Sequence, residues 1–163
     1  MIKTAVLTMS DKGSRGERED LTGPAIMDML KDNGFEIIHY KVIPDDFDTI
    51  VKELVNLCDD MKVEFVLTNG GTGFSQRDVT PEATMKVIER NVPGIPEAMR
   101  LKSLQITPKA MLSRAASGIR GGTLIVNLPG SPKAAKENLE FILPALPHGI
   151  DILTGRDSEC ATK

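Results

Sequence analysis

Apolar and polar residues follow one another along the chain in blocks, each about as long as one strand or one helix. The apolar blocks that have the length and β-branched content of buried strands are residues 2–9, 35–43 and 63–67. Between and after them, apolar residues recur at spacings of three and four. This predicts helices that begin near Thr22, at a cap on Asp46 or Asp48, and at a cap on Thr80. Strand and helix therefore alternate three times, which predicts right-handed crossovers and a parallel sheet.

The second half of the chain has a less regular pattern, punctuated by glycine and proline. Segments 115–119 and 123–128 are predicted to form either a hairpin or two separate strands of the sheet. A last helix is expected to begin at Pro132, and two later prolines should kink or restart it. The pattern predicts a single α/β domain over residues 1–155, followed by a polar C-terminal tail over 156–163.

Residues 68–83 join the third predicted strand to the next helix, and the other motifs are arranged around them. This stretch contains three glycines in four positions and an adjacent Arg–Asp pair: Gly70, Gly71, Gly73, Arg77 and Asp78. Glycines there let backbone N–H groups converge on an anion, because no Cβ is in the way. A tight turn with a salt-bridged Arg–Asp pair would explain the same residues. The helix that starts directly afterwards favours a phosphate site.

Two common phosphate-binding motifs are excluded at this stretch. A P-loop needs Lys followed by Ser or Thr after its last glycine, and Gly73 is followed by Phe74. A dinucleotide-binding fingerprint that starts at Gly71 needs glycine at the position of Gln76.

Four polar loops follow segments of strand type: 10–20, 44–46, 68–78 and 127–133. The carboxyl ends of parallel strands share one edge of a sheet, and open α/β sheets bind ligands at that edge. We therefore expect the four loops to surround one anionic ligand, with carboxylates that suit a metal ion. The residues by themselves name no substrate.

Composition narrows the class of protein. The 163 residues carry 20 basic and 23 acidic side chains, a net charge of −3, which gives no electrostatic footprint for nucleic acid or a membrane surface. No apolar run approaches membrane-spanning length. Cys58 and Cys160 are not spaced as a zinc site or a disulfide framework, which indicates a reducing compartment. We expect a cytoplasmic protein that binds neither nucleic acid nor membrane.

Several motifs together resemble the signature sequences of the molybdopterin adenylyltransferase family, the Mog-type proteins of molybdenum cofactor biosynthesis, which are related to one domain of gephyrin. The matching segments are 70–83, 113–114, 118–121 and 127–134, with 10–13 and 44–46 as smaller binding loops. The resemblance runs from about Ile2 to Gly155. One departure is Gln76, at a position where the family often has proline.

The resemblance implies a three-layer α/β subunit of the molybdopterin-binding fold, with a mostly parallel sheet and helices on both faces, assembled as a homotrimer. It implies a nucleotidyltransferase that moves AMP from ATP to the terminal phosphate of molybdopterin and releases pyrophosphate. A protein that inserts molybdenum would be a further partner. The implied substrate- or nucleotide-binding residues are Ser10, Asp11, Gly70, Gly71, Thr72, Gly73, Ser75, Arg77, Ser113, Asn127, Pro129, Gly130 and Ser131.

Asp45 and Asp78 are the carboxylates that we expect to be catalytic and to hold Mg²⁺ together with ATP. Mg²⁺ prefers one or two carboxylates plus phosphate oxygens, and these acids occur in two of the matching loops. One branch of the family shares the fold without clear catalysis, so a non-catalytic pterin-binding scaffold or carrier is the alternative. The presence of both acids favours the enzyme. His39 and His148 are expected to be structural.

Two further expectations concern the glycine loop and the assembly. A branched side chain at Gly71 or Gly73 should abolish ligand binding and leave the fold largely intact. Part of segment 96–112 should lie at a subunit interface, because it carries more apolar residues than one helical connection needs: Met99, Leu101, Leu104, Met111 and Leu112.

Overall fold

The computed structural model describes residues 1–157, which form a six-stranded sheet covered by helices. The strands are β1 (Ile2–Met9), β2 (Phe35–Ile43), β3 (Phe65–Asn69), β4 (Arg90–Asn91), β5 (Ser117–Arg120) and β6 (Thr123–Leu128). The helices are α1 (Asp11–Ser14), α2 (Thr22–Lys31), α3 (Phe47–Val55), α4 (Thr80–Val87), α5 (Gly94–Leu104), α6 (Pro132–Ile142) and α7 (Leu146–Leu153). A π-helical turn (Asn56–Asp60) continues α3, and 3₁₀ turns lie at Pro108–Leu112 and Leu143–Ala145.

The sheet has the strand order β2-β1-β3-β6-β5-β4. Its first four strands in this order are parallel, whereas β5 runs antiparallel to both of its neighbours. The mostly parallel sheet is confirmed, and the hairpin is the correct alternative for the segment that forms β5 and β6. The carboxyl ends of β2, β1, β3 and β6 therefore lie together at one edge.

Each face of the sheet carries its own hydrophobic core, because alternate residues of a strand point to opposite faces. Phe65 and Leu67 of β3 pack into the core formed with α2, α5, α6 and α7. Val66 packs into the core formed with α3 and α4. The Phe65 ring also lies against Phe35 of β2, with centroids 5.6 Å apart. Helices on both faces give the three layers that the family resemblance implies.

Two helix starts near the sheet edge determine how polar side chains there are used. Asp46 is the cap of α3, and its carboxylate accepts a hydrogen bond from the Thr49 N–H at 2.9 Å. The expectation that Thr80 caps the next helix is wrong. Val79 occupies the cap position of α4, and the Thr80 hydroxyl instead donates to the Gly70 carbonyl at 2.9 Å.

Four local features depart from, refine or confirm the predicted pattern. The loop expected at 10–20 contains the short helix α1, and β4 lies in a stretch for which no strand was predicted. The last helix ends at Ile142 and restarts as α7, as the prolines predict. At the start of the predicted tail, Arg156 donates to Asp151 at 2.7 Å and contacts Glu64, so it is held against the domain. Cys160 and the rest of the tail lie outside the described residues.

None of the helices found within residues 1–157 combines the length and the apolar character that a membrane crossing requires.

Candidate functional site

A cavity of about 790 Å³ opens at the carboxyl edge of the parallel strands. All four loops that were expected to meet there contribute to its wall. Their contributions include Ser10, Asp11, Asp45, Gly70, Gly71, Asp78, Gly130 and Ser131. The structure thus brings together residues that are up to 121 positions apart in the sequence, because the strands that precede these loops are neighbours in the sheet.

Two positions of the glycine loop have no room for a side chain. Gly70 (φ +91°) and Gly71 (φ +67°) both lie in the left-handed region. A Cβ on Gly70 would lie 2.5 Å from the Met9 carbonyl oxygen, and a Cβ on Gly71 would overlap the Thr80 hydroxyl. Gly73 is not left-handed, and a Cβ there would lie 3.0 Å from Asp78 Oδ2. A side chain at Gly71 would therefore disturb the fold itself, which corrects the expectation of an intact fold.

The loop after β6 packs directly on the glycine loop. A Cβ on Gly130 would lie 3.2 Å from Gly70 Cα, so the two backbones approach as closely as glycine allows. The Gly70 N–H donates to the Leu128 carbonyl at 3.2 Å. On the other side, the Thr22 hydroxyl of α2 donates to the Gly130 carbonyl at 2.8 Å. Backbone groups of two loops are thereby fixed side by side at the cavity.

Asp11, Asp45 and Arg77 connect three loops in one chain of hydrogen bonds. The Asp11 N–H donates to Asp45 Oδ2 at 3.0 Å, and the Asp45 N–H donates to Asp11 Oδ1 at 3.0 Å. Arg77 donates to both Asp11 oxygens, at 3.0 and 2.9 Å. The paired Arg77 guanidinium holds the pKa of the Asp11 carboxyl below its usual range. Arg77 pairs with Asp11 and not with its sequence neighbour Asp78, so the simple turn with a local ion pair does not occur.

The acidic wall of the cavity disfavours further negative charge. Burial raises the pKa of the Asp45 carboxyl, and the charges of Asp11 and Asp78 raise it further. Asp78 is oriented by its own loop, since its Oδ2 accepts from the Ser75 N–H at 3.1 Å and its N–H donates to the Ser75 carbonyl at 2.9 Å. Two carboxylates from different loops, Asp45 and Asp78, therefore face one space beside left-handed glycine backbone.

The sequence matches a protein family described as "Probable molybdopterin binding domain" over residues 5–148. The chain belongs to this family. It is 45% identical over 157 residues to the molybdopterin adenylyltransferase of Helicobacter pylori strain J99, and the aligned region spans 94% of this chain and 89% of that protein. It is 41% identical over 156 residues to the molybdopterin adenylyltransferase of Escherichia coli K12, covering 91% and 80%.

Solved structures agree with this membership of the molybdopterin-binding family. The molybdopterin biosynthesis enzyme MoaB from Thermus thermophilus is 50% identical and superposes with a TM-score of 0.91, over 95% of this chain and 98% of that one. The tungsten cofactor synthesizing protein MoaB from Pyrococcus furiosus is 35% identical, with a TM-score of 0.85 over 94% and 97%. The molybdopterin-binding fold expected from the motifs is confirmed.

Four of the binding residues implied by the family resemblance line a second, smaller cavity. This cavity of about 290 Å³ lies between the glycine loop and α5, and the four residues are Thr72, Gly73, Ser113 and Pro129. The glycine loop therefore contributes to two cavities, one through Gly70 and Gly71 and the other through Thr72 and Gly73.

Asn127 lies in neither cavity, contrary to its expected role. Its side chain is fully buried, and its Nδ2 donates to the hydroxyls of Thr68 at 3.0 Å and Thr84 at 2.9 Å. Its Oδ1 accepts from the Ala116 N–H at 3.0 Å. The amide is used to join β6 to the neighbouring strand, to α4 and to the segment before β5, because a buried polar group requires partners inside the fold.

Ser75 and Arg77 are exposed beside the large cavity and do not line it. Ser75 turns the loop that leads to Asp78, and the Arg77 side chain is 61% exposed while it is bonded to Asp11. The two histidines also lie outside this cavity. His39 contacts Glu53 at 3.0 Å and His148 contacts Asp157 at 3.7 Å.

Asp20 is a cavity residue that the sequence reasoning missed. Burial raises its pKa, but hydrogen bonds from the hydroxyls of Thr8 (2.5 Å) and Tyr40 (2.6 Å) outweigh this and lower it. The other carboxylate oxygen accepts from the N–H groups of Thr22 and Gly23, each at 3.0 Å. Its place directly before a predicted helix start was the available signal.

Lys12 and Arg18 also line the cavity, and neither was singled out in the sequence. Both lie in a polar loop that was expected to bind the ligand. The sequence therefore showed their place and their charge, but it did not show that they line the cavity. They supply cationic groups from the loop after β1, and they balance part of the acidic wall of the cavity.

Proposed function

We propose that this protein is a molybdopterin adenylyltransferase of molybdenum cofactor biosynthesis. A terminal phosphate oxygen of molybdopterin bonds to the α-phosphorus of ATP, the bond from that phosphorus to the β-phosphate oxygen breaks, and pyrophosphate leaves. One observation carries the proposal: Asp45 and Asp78 line the same cavity as the left-handed Gly70–Gly71 backbone. Relatives that are 41% and 45% identical to this chain bear this name.

The first task of such a site is to bring two anionic groups together. The Gly71 N–H and the start of α6 at Ser131 lie beside the cavity and can donate to an anion, whereas the Gly70 N–H is bonded to Leu128; Lys12 and Arg18 offer positive charge. We propose that these groups hold the attacking phosphate and the α-phosphate in line. A general base is not required, because a phosphate monoester is already ionised near neutral pH.

Mg²⁺ fits the acidic wall of this cavity. Asp11, Asp45 and Asp78 line the cavity together, and a divalent cation would offset their negative charge. Within residues 1–157 there is no group of three or more metal-binding side chains. Asp45 and Asp78 would therefore hold the ion jointly with phosphate oxygens of ATP, and when bound it would neutralise phosphate charge.

Arg77 is proposed to bind phosphate at the rim after it exchanges partners. Its guanidinium is exposed and already presents a two-pronged fork, which is occupied by the Asp11 carboxylate. A phosphate offers the same bidentate geometry as a carboxylate. Release of Asp11 would then leave its carboxylate free to pair with another cation of the site.

The smaller cavity is proposed to extend the substrate site across the glycine loop. Thr72 and Gly73 belong to the same loop that lines the large cavity, and Ser113 and Pro129 close the smaller one from the α5 side. A substrate pair held by its phosphates at Gly70 and Gly71 would reach this cavity with a part that lies beyond them.

The homotrimer, the molybdenum-insertion partner and the cytoplasmic location are also proposals. Exposed apolar side chains lie along the end of α5 and the segment that follows it, through the 3₁₀ turn Pro108–Leu112. They are here called the α5 patch: Leu101, Leu104, Ile106, Met111 and Leu112. Exposed apolar groups of this size mark interfaces, and a second and third copy would cover them. Met99 does not belong to the patch, because it is 3% exposed and lies in the core.

Pyrophosphate release tests the proposed reaction. Purified protein with ATP and Mg²⁺ should release pyrophosphate only when molybdopterin is added, and chelation by EDTA should stop the release. Molybdopterin bound with micromolar affinity but without any pyrophosphate would contradict the enzyme and leave the pterin-binding scaffold or carrier as the function.

A further inference from the structure

We infer that Arg114 is a positioning residue that holds the Asp78 carboxylate in place by fastening both ends of the loop that carries it. Arg114 Nε donates to the Gly73 carbonyl at 2.7 Å, and Nη2 donates to the Asp78 carbonyl at 2.8 Å. The Arg114 N–H donates to the Thr72 carbonyl at 2.9 Å. One residue thus bonds to the start and the end of segment 73–78. The inference rests on the proposed function of Asp78.

Arg114 does not line the large cavity. It lies between the 3₁₀ turn Pro108–Leu112 and β5. Its side chain borders a different, open depression that is also lined by Pro81 and Glu82. The remaining guanidinium nitrogen contacts Glu82 in the first turn of α4. Arg114 therefore acts on the reaction through the loop and touches no reacting atom.

The loop needs this outside support because its internal bonds fix only its own shape. The two Ser75–Asp78 hydrogen bonds orient the Asp78 side chain relative to the turn. They do not fix the turn relative to the cavity. The Arg77–Asp11 pair attaches the turn to the loop after β1, but this pair is the one proposed to exchange for phosphate. The two bonds from Arg114 attach both ends of the turn to a residue just before β5, and they do not depend on that exchange.

The planar fork of arginine is the feature that makes this possible. Two N–H groups on one rigid guanidinium reach carbonyls at both ends of the loop, whereas a lysine ammonium is a single point at the end of a flexible stem. Arg114→Lys keeps the charge beside Glu82 and removes the simultaneous bonds to Gly73 and Asp78. The variant separates the loop-fastening role from simple charge.

Arg114→Lys should lower kcat by about 10²-fold, because a displacement of roughly 1 Å at a catalytic group has an effect of this size. The KM for molybdopterin should change by less than about threefold, since the other phosphate-binding loops are untouched. Hydrogen exchange of the Asp78 amide should be at least about tenfold faster, because charge-assisted bonds hold its loop. Unchanged kcat and unchanged exchange would overturn the inference.

Glu82→Gln is the matched control, because it removes the ionic partner of Arg114 and leaves both loop bonds possible. It should keep kcat within about twofold, as expected of a half-exposed ion pair. In Arg114→Ala, added guanidinium should restore part of kcat and methylammonium should not. Restoration by both ions, or a loss in Glu82→Gln equal to that in Arg114→Lys, would show that charge alone matters and would overturn the inference.

Amide exchange separates this inference from the proposed reaction. If the parent protein transfers no AMP, the proposed function fails, yet faster exchange at Asp78 in Arg114→Lys would still support the fastening of the loop. If the parent is active and Arg114→Lys loses activity without faster exchange, Arg114 acts in another way and the inference is wrong. Equal thermal melting of both variants excludes global unfolding as the cause.

Discussion

Gly71 offers a substitution whose effect can be calculated from two separate features of the structure. Gly71→Ala places a methyl group on a backbone with φ +67°, where it would overlap the Thr80 hydroxyl and lie 3.1 Å from Asp45 Oδ1. The left-handed conformation costs an alanine about 1–2 kcal/mol. Displacement of the Thr80 hydroxyl from the Gly70 carbonyl costs about 1 kcal/mol more. The free energy of unfolding should therefore fall by about 2–3 kcal/mol.

Gly16→Ala is the matched control for this substitution. Gly16 has φ +74°, and a Cβ there would meet nothing within 4 Å. It should therefore show the backbone cost alone, about 1–2 kcal/mol. Urea unfolding of both variants, with equal m-values, gives the two changes in free energy. Gly71→Ala should be the more destabilising by about 1 kcal/mol.

Thr80→Ala provides the decisive background, since it removes the hydroxyl that the new methyl group would overlap. In the Thr80→Ala protein, Gly71→Ala should lower the free energy of unfolding by no more than Gly16→Ala does. The reason is that the contact between positions 71 and 80 has already been removed. Equal costs for Gly71→Ala and Gly16→Ala in the parent protein would refute the close contact between the glycine loop and α4.

Further predictions test the metal site, the pH dependence of stability and the assembly. Asp78→Asn should slow turnover, with a loss of about 3–5 kcal/mol of transition-state stabilisation, and should still bind the pterin. Asp45→Asn should reduce pterin affinity more than Asp78→Asn does. Single-turnover kinetics measures the first effect and direct binding the second. Asp20→Asn should destabilise the fold by about 2 kcal/mol at pH 7, because it replaces a carboxylate that accepts four hydrogen bonds. Since the folded-state pKa of Asp20 is lowered, this difference should shrink as pH falls below the unfolded value of about 4 and through the folded one, which urea titrations at several pH values can measure. Leu101→Glu should reduce the sedimentation mass to that of a monomer, whereas Met85→Glu, at an exposed position outside the α5 patch, should not.

Strand prediction from the sequence was correct for β1, β2 and β6 and misplaced β3, where two buried polar residues end the strand. β1 and β2 begin and end at the predicted residues. β3 lies two residues later than predicted, because Thr68 and Asn69 are fully or almost fully buried despite their polarity. The Thr68 hydroxyl accepts from Asn127, and the Asn69 amide donates to the Thr8 hydroxyl at 2.9 Å. Two polar residues in succession at the end of an apolar run look like the start of a loop, so the sequence does not show that neighbouring strands satisfy them.

The sequence predicted which residues lie at the site better than it predicted which of them bond to each other. Loops that end parallel strands must share an edge, so the meeting of Asp45, Asp78 and the glycines could be predicted. The partner of Arg77 could not, since Asp11 lies 66 residues away and the adjacent Asp78 was the nearer choice. Met99 was likewise misplaced at a surface, because helical spacing alone does not say which side of α5 faces the core.

A single-turnover experiment with α-labelled ATP shows whether this protein transfers AMP to molybdopterin and whether Asp78 is needed for the transfer. Excess protein is mixed with molybdopterin, labelled ATP and Mg²⁺, and both bound pterin and labelled pterin are measured in the same samples for the parent and for Asp78→Asn. We expect one AMP transferred per pterin in the parent, and a transfer rate reduced about 10²- to 10⁴-fold in Asp78→Asn with pterin still bound. Pterin bound by both proteins with no labelled product from the parent would contradict this expectation.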